Sequence, residues 1–362
     1  MGAIVYLFVF ISVAFNLYLT EKYKCNSFFK QSILWFPAIV IYMLPLAFQD
    51  GVGKDYYAYY NSFYDGSHAL YLKKQEYLYY YLQELVVYLG DPQLQFFFVG
   101  TIQTLLFFYI LFLLKKYNYN ATLIFCLFFL VTGMYHNQMN GMRQFIAIYF
   151  FVIFCLLSIN KEYFKSILFF LIGLFFHKSI IIPLFYFFPI LFFSKFYLNY
   201  RWLSIFSLFV GGGLLHMVNW THFVQGFLNL LSLNYDHYLD SDYGSGRDIA
   251  SLATKFYFIP LYIWFLIIFY KTKNSRNDIL ILCLWALTCF IYLQGIYFSL
   301  FIRTWAYFVF FSVFPLYFIL KYYKGNVYVY LLIFIYLFVP YFLKISIFSI
   351  GEYTYSFYSK WF

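Results

Sequence analysis

Apolar segments long enough to cross a bilayer recur along nearly the whole chain, and they constrain its fold more than any other feature. A spanning helix needs about twenty mostly apolar residues, fewer where it is broken inside protein. Such segments fall at 2–20, 31–48, 93–114, 121–135, 144–159, 164–177, 179–193, 202–218, 252–270, 279–297, 303–320 and 327–343. With 64% hydrophobic and 10% charged residues, no soluble domain could hide this apolar surface, so lipid is the solvent. The expected fold is an all-α polytopic membrane protein of about twelve transmembrane helices, one integral membrane domain over residues 1–362.

The charges order these segments. Fourteen of the 24 basic residues fall on alternate connections: Lys22, Lys24, Lys30, Lys115, Lys116, Lys161, Lys165, Lys195, Arg201, Lys271, Lys273, Arg276, Lys321 and Lys324. Eleven of the 14 acids fall on the opposite set. This is the positive-inside pattern. It puts both termini on the outer side of the membrane and turns the net charge of +10 into a topology signal. A nucleic-acid partner is therefore not expected. The basic residues follow the first apolar run, which suits a first spanning helix better than a cleaved leader. Five scattered cysteines without CxxC spacing read as apolar fillers, implying neither disulfides nor metal.

Two large outer loops remain, at 49–92 and 219–251. The first carries GVGKDYYAYYNSFY and then YLYYYLQELVVYLG at 77–90, a stretch too short and too charged to span. It reads as an interfacial or re-entrant helix, and the tyrosines before it as an amphipathic helix at the membrane surface. The second loop is acidic and holds Asp240-Ser241-Asp242 and Arg247. An Asp-x-Asp pair can hold a divalent metal on a nucleotide sugar, but nucleotide sugars are cytoplasmic and this loop faces outward, so a solvated lid is the expectation.

Three polar islands interrupt the apolar sequence. HNQMNGMRQ at 136–144 reads as a tight turn with Arg143 at the mouth of the next helix, where the helix N-terminus adds its own partial positive charge. His177-Lys178-Ser179 breaks a run of about thirty apolar residues. That run is too long for one span. Its expected form is a hairpin of two short helices with a sunken apex. Arg303, in SLFIRTWAYF, begins a late segment. Ionisable groups at membrane depth are functional-site hypotheses by default. A lone arginine at a helix end often merely snorkels or pairs with an acid, and Asp55 and Glu76 could simply pair with Lys54 or Lys73. His136, His68, His216, His222 and His237 are weaker candidates. No nucleophile-elbow motif supports a serine hydrolase.

Arg143, Lys178, Arg247 and Arg303 on one face suit a polyanion at the membrane surface, and lipid phosphates and diphosphates are the polyanions found there. Preorganised cations stabilise a diphosphate leaving group without a metal. Asp55, Glu76 or His177 could deprotonate an attacking hydroxyl. Tyr56 and Tyr60 would stack on sugar rings.

The pieces GVGKDYYAYYNSFY with Glu76-Tyr77, NGMRQFIAIYFF, KEYFKSILFFLIGLFFHKSIIIPLFYF and RTWAYF, taken in order, resemble the EpsG family of Wzy-like polysaccharide polymerases. MRQ-x-x-A and FFHKS-x-x-x-x-P are the most specific of them. The resemblance implies a GT-C-like membrane glycosyltransferase joining undecaprenyl-diphosphate-linked oligosaccharide repeats of exopolysaccharide, capsule or O-antigen on the outer face of the membrane. Arg143, His177, Lys178 and Arg303 match the family's polar positions; the base is not fixed by the motif. The expected partners are the lipid-linked oligosaccharide, membrane lipids and a chain-length regulator, with no cofactor. A ligase moving finished polymer to another acceptor is the first alternative. A flippase would show internal repeats, which the chain lacks. An acyltransferase would use His177 beside an acyl channel.

Overall fold

The computed structural model describes residues 2–199, 255, 257–272, 274–297 and 300–360. Among them the regular structure is helical, apart from one isolated antiparallel bridge between Gln49 and Phe357. The helices are α1 (Gly2–Thr20), α2 (Phe28–Leu34), α3 (Phe36–Ala47), α4 (Tyr56–Asp65), α5 (Ala69–Lys73), α6 (Tyr77–Leu89), α7 (Gln93–Lys116), α8 (Ala121–Leu127), α9 (Met134–Asn140), α10 (Met142–Ile159), α11 (Tyr163–Phe176), α12 (Leu184–Phe192) and α13 (Ser194–Asn199). Beyond the second large loop come α14 (Ile259–Lys271), α15 (Arg276–Tyr297), α16 (Leu300–Phe308), α17 (Val313–Tyr322) and α18 (Val327–Ser346).

Among the described residues, six stretches are long and apolar enough to cross a membrane: Gly2–Thr20, Gln93–Lys116, Met142–Ile159, Arg276–Gly295, Phe301–Tyr322 and Val327–Ser346. A seventh counts if α2 and α3, bent by 81°, form one span. The chain is an all-helical polytopic membrane protein. Helices Ala121–Thr132, Tyr163–Phe176, Lys178–Phe192 and Ile259–Lys271 lie where further spans are expected but are shorter. The expected span 202–218 and loop 219–251 lie outside the described residues, as does the beginning of 252–270. At 13 residues, α6 falls short of the length a span requires.

Helix α1 shows why the solvent is lipid. Tyr6, Val9, Phe10, Val13 and Leu17 form its buried stripe, while Ile4, Phe8, Ile11 and Phe15 face outward. A helix apolar all round has no side suited to water.

The contacts divide into two compact units. The first comprises Met1–Leu156, Phe164–Lys178 and Gly325–Phe362. In it α3 crosses α7 closely, because Gly100 has no Cβ to meet Leu46, which would lie 2.9 Å away. Glu21 accepts the N–H groups of Ala121 and Thr122 at the start of α8, a carboxylate at the positive end of a helix. Lys115 donates to the carbonyl of Thr20 at 2.9 Å and lies over the ring of Trp35.

The tail after α18 folds back onto the end of α3. Tyr358 N–H donates to Phe48 O at 2.8 Å, and Asp50 N–H to Ser356 O at 3.0 Å. Tyr353 stacks on His136 with ring centroids 4.4 Å apart. Backbone groups that would otherwise lack partners at the end of α3 are satisfied by the tail.

The second unit comprises Leu157–Tyr163 and Ser179–Lys324. There α15 packs on α16, and α14 on α17. Arg276 donates to Ile159 O at 3.0 Å, covering a carbonyl at the end of α10. Ser179 and Tyr307 share a hydroxyl–hydroxyl bond of 2.7 Å.

Candidate active site

The polar segment at 136–144 is mostly helix where the sequence suggests a turn. Gly133, with φ of 67°, and Gly141 bound the seven-residue α9. The polar side chains of α9 serve tertiary contacts. Gln138 donates to the hydroxyl of Tyr42 at 3.1 Å and accepts from the hydroxyl of Tyr149 at 2.8 Å. From α7, Gln103 Nε2 donates to the carbonyls of Gln138 and Met142. These carbonyls lie at the α9–α10 break, so Gln103 fixes the joint at which α10 starts. Arg143 is the second residue of α10.

Asn140 ties the first loop to the same joint. Its Oδ1 accepts the backbone N–H of Asp55 at 2.9 Å. Gly53 lies between them with φ of 81°, and a Cβ there would meet Asn140 Oδ1 at 2.7 Å. Both the left-handed backbone and the close approach require glycine.

Glu76 comes from the turn between α5 and α6. Gln75 adopts φ of 59°, uncommon for a residue with a side chain, and Glu76 N–H bonds Tyr71 O at 2.9 Å. This tight reversal turns Glu76 inward, leaving it 2% exposed. His177 comes from the end of α11, where its N–H makes one last helical bond to Gly173 O before a 3-10 turn starts at Lys178.

The three residues meet. Glu76 Oε2 pairs with Arg143 Nη1. Glu76 Oε1 accepts from His177 Nδ1 at 2.6 Å. One buried carboxylate thus bridges a guanidinium and an imidazole. Arg143 lies over the ring of Tyr71 at 4.3 Å and near that of Tyr79 at 5.5 Å, in the geometry of cation–π contacts. Its Nε and the hydroxyl of Tyr79 are buried without hydrogen-bond partners.

Burial pushes the Glu76 carboxyl up, but His177 and then Arg143 outweigh it and hold it down at about 2. Glu76 is therefore ionised throughout the neutral range. An ionised carboxylate accepts only, so the proton between the pair sits on His177 Nδ1. Burial raises Tyr71 to about 12 and also raises Tyr59, so both remain neutral hydroxyls.

Of the other residues nominated from the sequence, Lys178 is half-buried beside His177. Asp55 is exposed at the start of α4 and reaches the polar segment through its backbone. Tyr56 is 1% exposed, stacked on Phe96 at 4.5 Å, with its hydroxyl donating to Gln93. Tyr60 is half-buried; the rings that α4 exposes are Tyr57 at 62% and Tyr64 at 66%. Arg303 lies on α16, in the second unit. Arg247, Asp240, Asp242, His216, His222 and His237 lie outside the described residues. His68 bonds Ser62 O and Glu84, and His136 is packed among Tyr6, Tyr341 and Tyr353. No group of three or more potential metal ligands occurs among the described residues.

Sequence reasoning missed Tyr59, Tyr71 and Tyr79 around Arg143, and Gln103 beneath it. Gln103 carried a signal, since a glutamine inside an apolar span is costly unless it serves the protein interior. The tyrosines carried none, being three among 43.

The class defined by fold and site is a polytopic membrane protein with a buried Arg–Glu–His cluster. Its family follows from comparison: the EpsG family matches residues 32–359, and the chain belongs to that family. Membership points to polysaccharide biosynthesis. No curated protein and no solved structure matched the chain.

Proposed function

We propose that this chain is a Wzy-type polymerase. It transfers a growing glycan from its undecaprenyl diphosphate carrier to the terminal sugar of an incoming lipid-linked repeat, on the outer face of the inner membrane. The supporting observation is Glu76 joined at once to Arg143 and His177.

In this reading the acceptor hydroxyl attacks the anomeric carbon of the donor sugar. The bond from that carbon to the diphosphate oxygen breaks, and its electron pair leaves with the diphosphate. The hydroxyl proton passes to His177 Nε2. Glu76, accepting from Nδ1, holds the ring in the tautomer that leaves Nε2 basic, as a carboxylate orients histidine in serine hydrolases. Glu76, its carboxylate paired with Arg143, is a weaker base than the imidazole and orients the ring rather than accepting the proton. Arg143 stabilises the charge that grows on the diphosphate, with Lys178, Arg247 and Arg303 as further cations. This cationic set does what a metal would do, so the reading needs none. Asp55 orients the acceptor, and the tyrosine-rich loop guides the glycan, with Tyr57 and Tyr64 offering the exposed rings. About twelve spans in a single GT-C-like membrane domain, with both termini outside, complete the reading; a chain-length regulator is its protein partner.

The test is reaction of the purified protein with its lipid-linked repeat. A ladder of products supports polymerisation. Transfer of preformed polymer to a different acceptor, without ladder growth, would make the protein a ligase.

A further inference from the structure

The Glu76–Arg143 pair poses a problem for any anion site. The guanidinium that should bind the lipid diphosphate already holds a buried carboxylate. A ligand that takes the Nη1 side of Arg143 must displace that carboxylate, giving up a charge-assisted hydrogen bond worth more than a neutral one. The Nε, buried without a partner, is a further donor to a ligand that does so.

The membrane supplies the reason for such an arrangement. The abundant anions at its surface are phospholipid headgroups, most of them phosphodiesters with one negative charge. A bare arginine at membrane depth would bind them. With Glu76 in place, a phosphodiester exchanges one charge for one charge and gains little. A glycosylated lipid diphosphate carries two charges, and a third develops as the glycosidic bond breaks. Discrimination is a difference of affinities and can be built by penalising the wrong ligand.

We propose that Glu76 determines specificity by occupying Arg143 as an internal anion, so that lipid diphosphates enter the site and phosphodiester headgroups do not. This rests on the reading of Arg143 as the diphosphate ligand. The displaced carboxylate keeps His177, since its second oxygen bonds Nδ1 at 2.6 Å. Glu76 then serves the imidazole alone, so diphosphate binding and readiness of the base are coupled through one side chain. The exchange is most favourable where the leaving group's charge is largest, which places its gain in the transition state.

The experiment measures farnesyl diphosphate binding to the full-length protein in neutral detergent, with phosphatidylglycerol as competitor. The wild type binds the diphosphate, and excess phosphatidylglycerol does not displace it. In Glu76→Gln the preference for diphosphate over phosphatidylglycerol falls by about tenfold or more, the worth of a charged hydrogen bond. A second measurement needs no Glu76 variant. With ¹⁵N-labelled histidine, the His177 signal, assigned by its loss in His177→Gln, shifts with farnesyl diphosphate and stays still with phosphatidylglycerol. Unchanged discrimination in a folded Glu76→Gln protein, or a His177 signal indifferent to the diphosphate, overturns the proposal. Arg143→Ala separates the two levels. Wild-type diphosphate affinity in that variant removes the underlying reading, whereas lost affinity there with unchanged discrimination in Glu76→Gln removes the specificity role alone.

Discussion

Glu76 Oε1 and His177 Nδ1 lie 2.6 Å apart, though 101 positions separate the residues in the chain. The first comes from a strained turn in the tyrosine-rich loop and the second from the end of a helix that stops in mid-apolar sequence. Neither feature has an evident structural purpose alone, and their meeting supplies one.

Replacing His177 with Gln preserves a hydrogen bond to Glu76 but removes the proton acceptor. Turnover is expected to fall about a hundredfold or more, with little change in affinity for the lipid-linked donor. Initial rates across a donor concentration series separate the two effects. Unchanged turnover would exclude His177 as the base.

Arg143→Ala leaves Glu76 buried without its guanidinium, a loss of about 3 kcal/mol or more when a buried pair is broken from one side. Polymer should disappear while single repeats accumulate on lipid. Arg143→Lys should recover stability better than activity, because an ammonium lacks the fork and the flat face that lies over Tyr71. Glycan blots at matched protein level, with melting curves, check both.

The pH dependence of stability follows from Glu76. Its folded carboxyl is held at about 2, below the ordinary 4.5. A depressed carboxyl stabilises the folded state fully above the unfolded value, and that contribution is lost as pH falls from about 4.5 towards 2. The wild type should lose melting temperature through this window relative to Glu76→Gln. A gap that does not narrow below pH 4.5 would contradict the ion cluster.

Gly53→Ala forces a side chain into a left-handed backbone, at about 1–2 kcal/mol, and into Asn140 as well. Activity should fall with stability, since Asn140 lies three residues before Arg143. Pairing it with Asn140→Ala removes the 2.7 Å contact with Oδ1 but leaves the one with Cβ at 3.1 Å and the backbone strain, so partial recovery of the melting temperature is expected.

Tyr353→Ala empties a buried position against His136 in the tail that pairs with Phe48 and Asp50. A loss of about 3 kcal/mol is expected, as for other large-to-small core changes. Protease susceptibility of the tail reads out its release.

Much of the helical layout is visible in the sequence, because lipid demands long apolar runs with internally satisfied backbones. The short α6 was legible from Glu84 and the charges flanking it. The helical character of α9 was not, since Asn and the flanking Gly disfavour helices locally, and here the bonds of Gln138 to Tyr42 and Tyr149 override that preference. Nor was the burial of Tyr56 in place of Tyr57 predictable: adjacent helical residues lie about 100° apart, and which one faces inward depends on where Phe96 and Gln93 sit.

By itself the sequence determined that this protein lives in lipid as a bundle of helices, and that Arg143 and His177 interrupt apolar sequence where charge is expensive. The tertiary structure alone decided that Glu76 is the residue they share. Periodicity says which residues lie on one face of a helix, whereas a contact across 101 positions depends on how loop, joint and helix end are folded together.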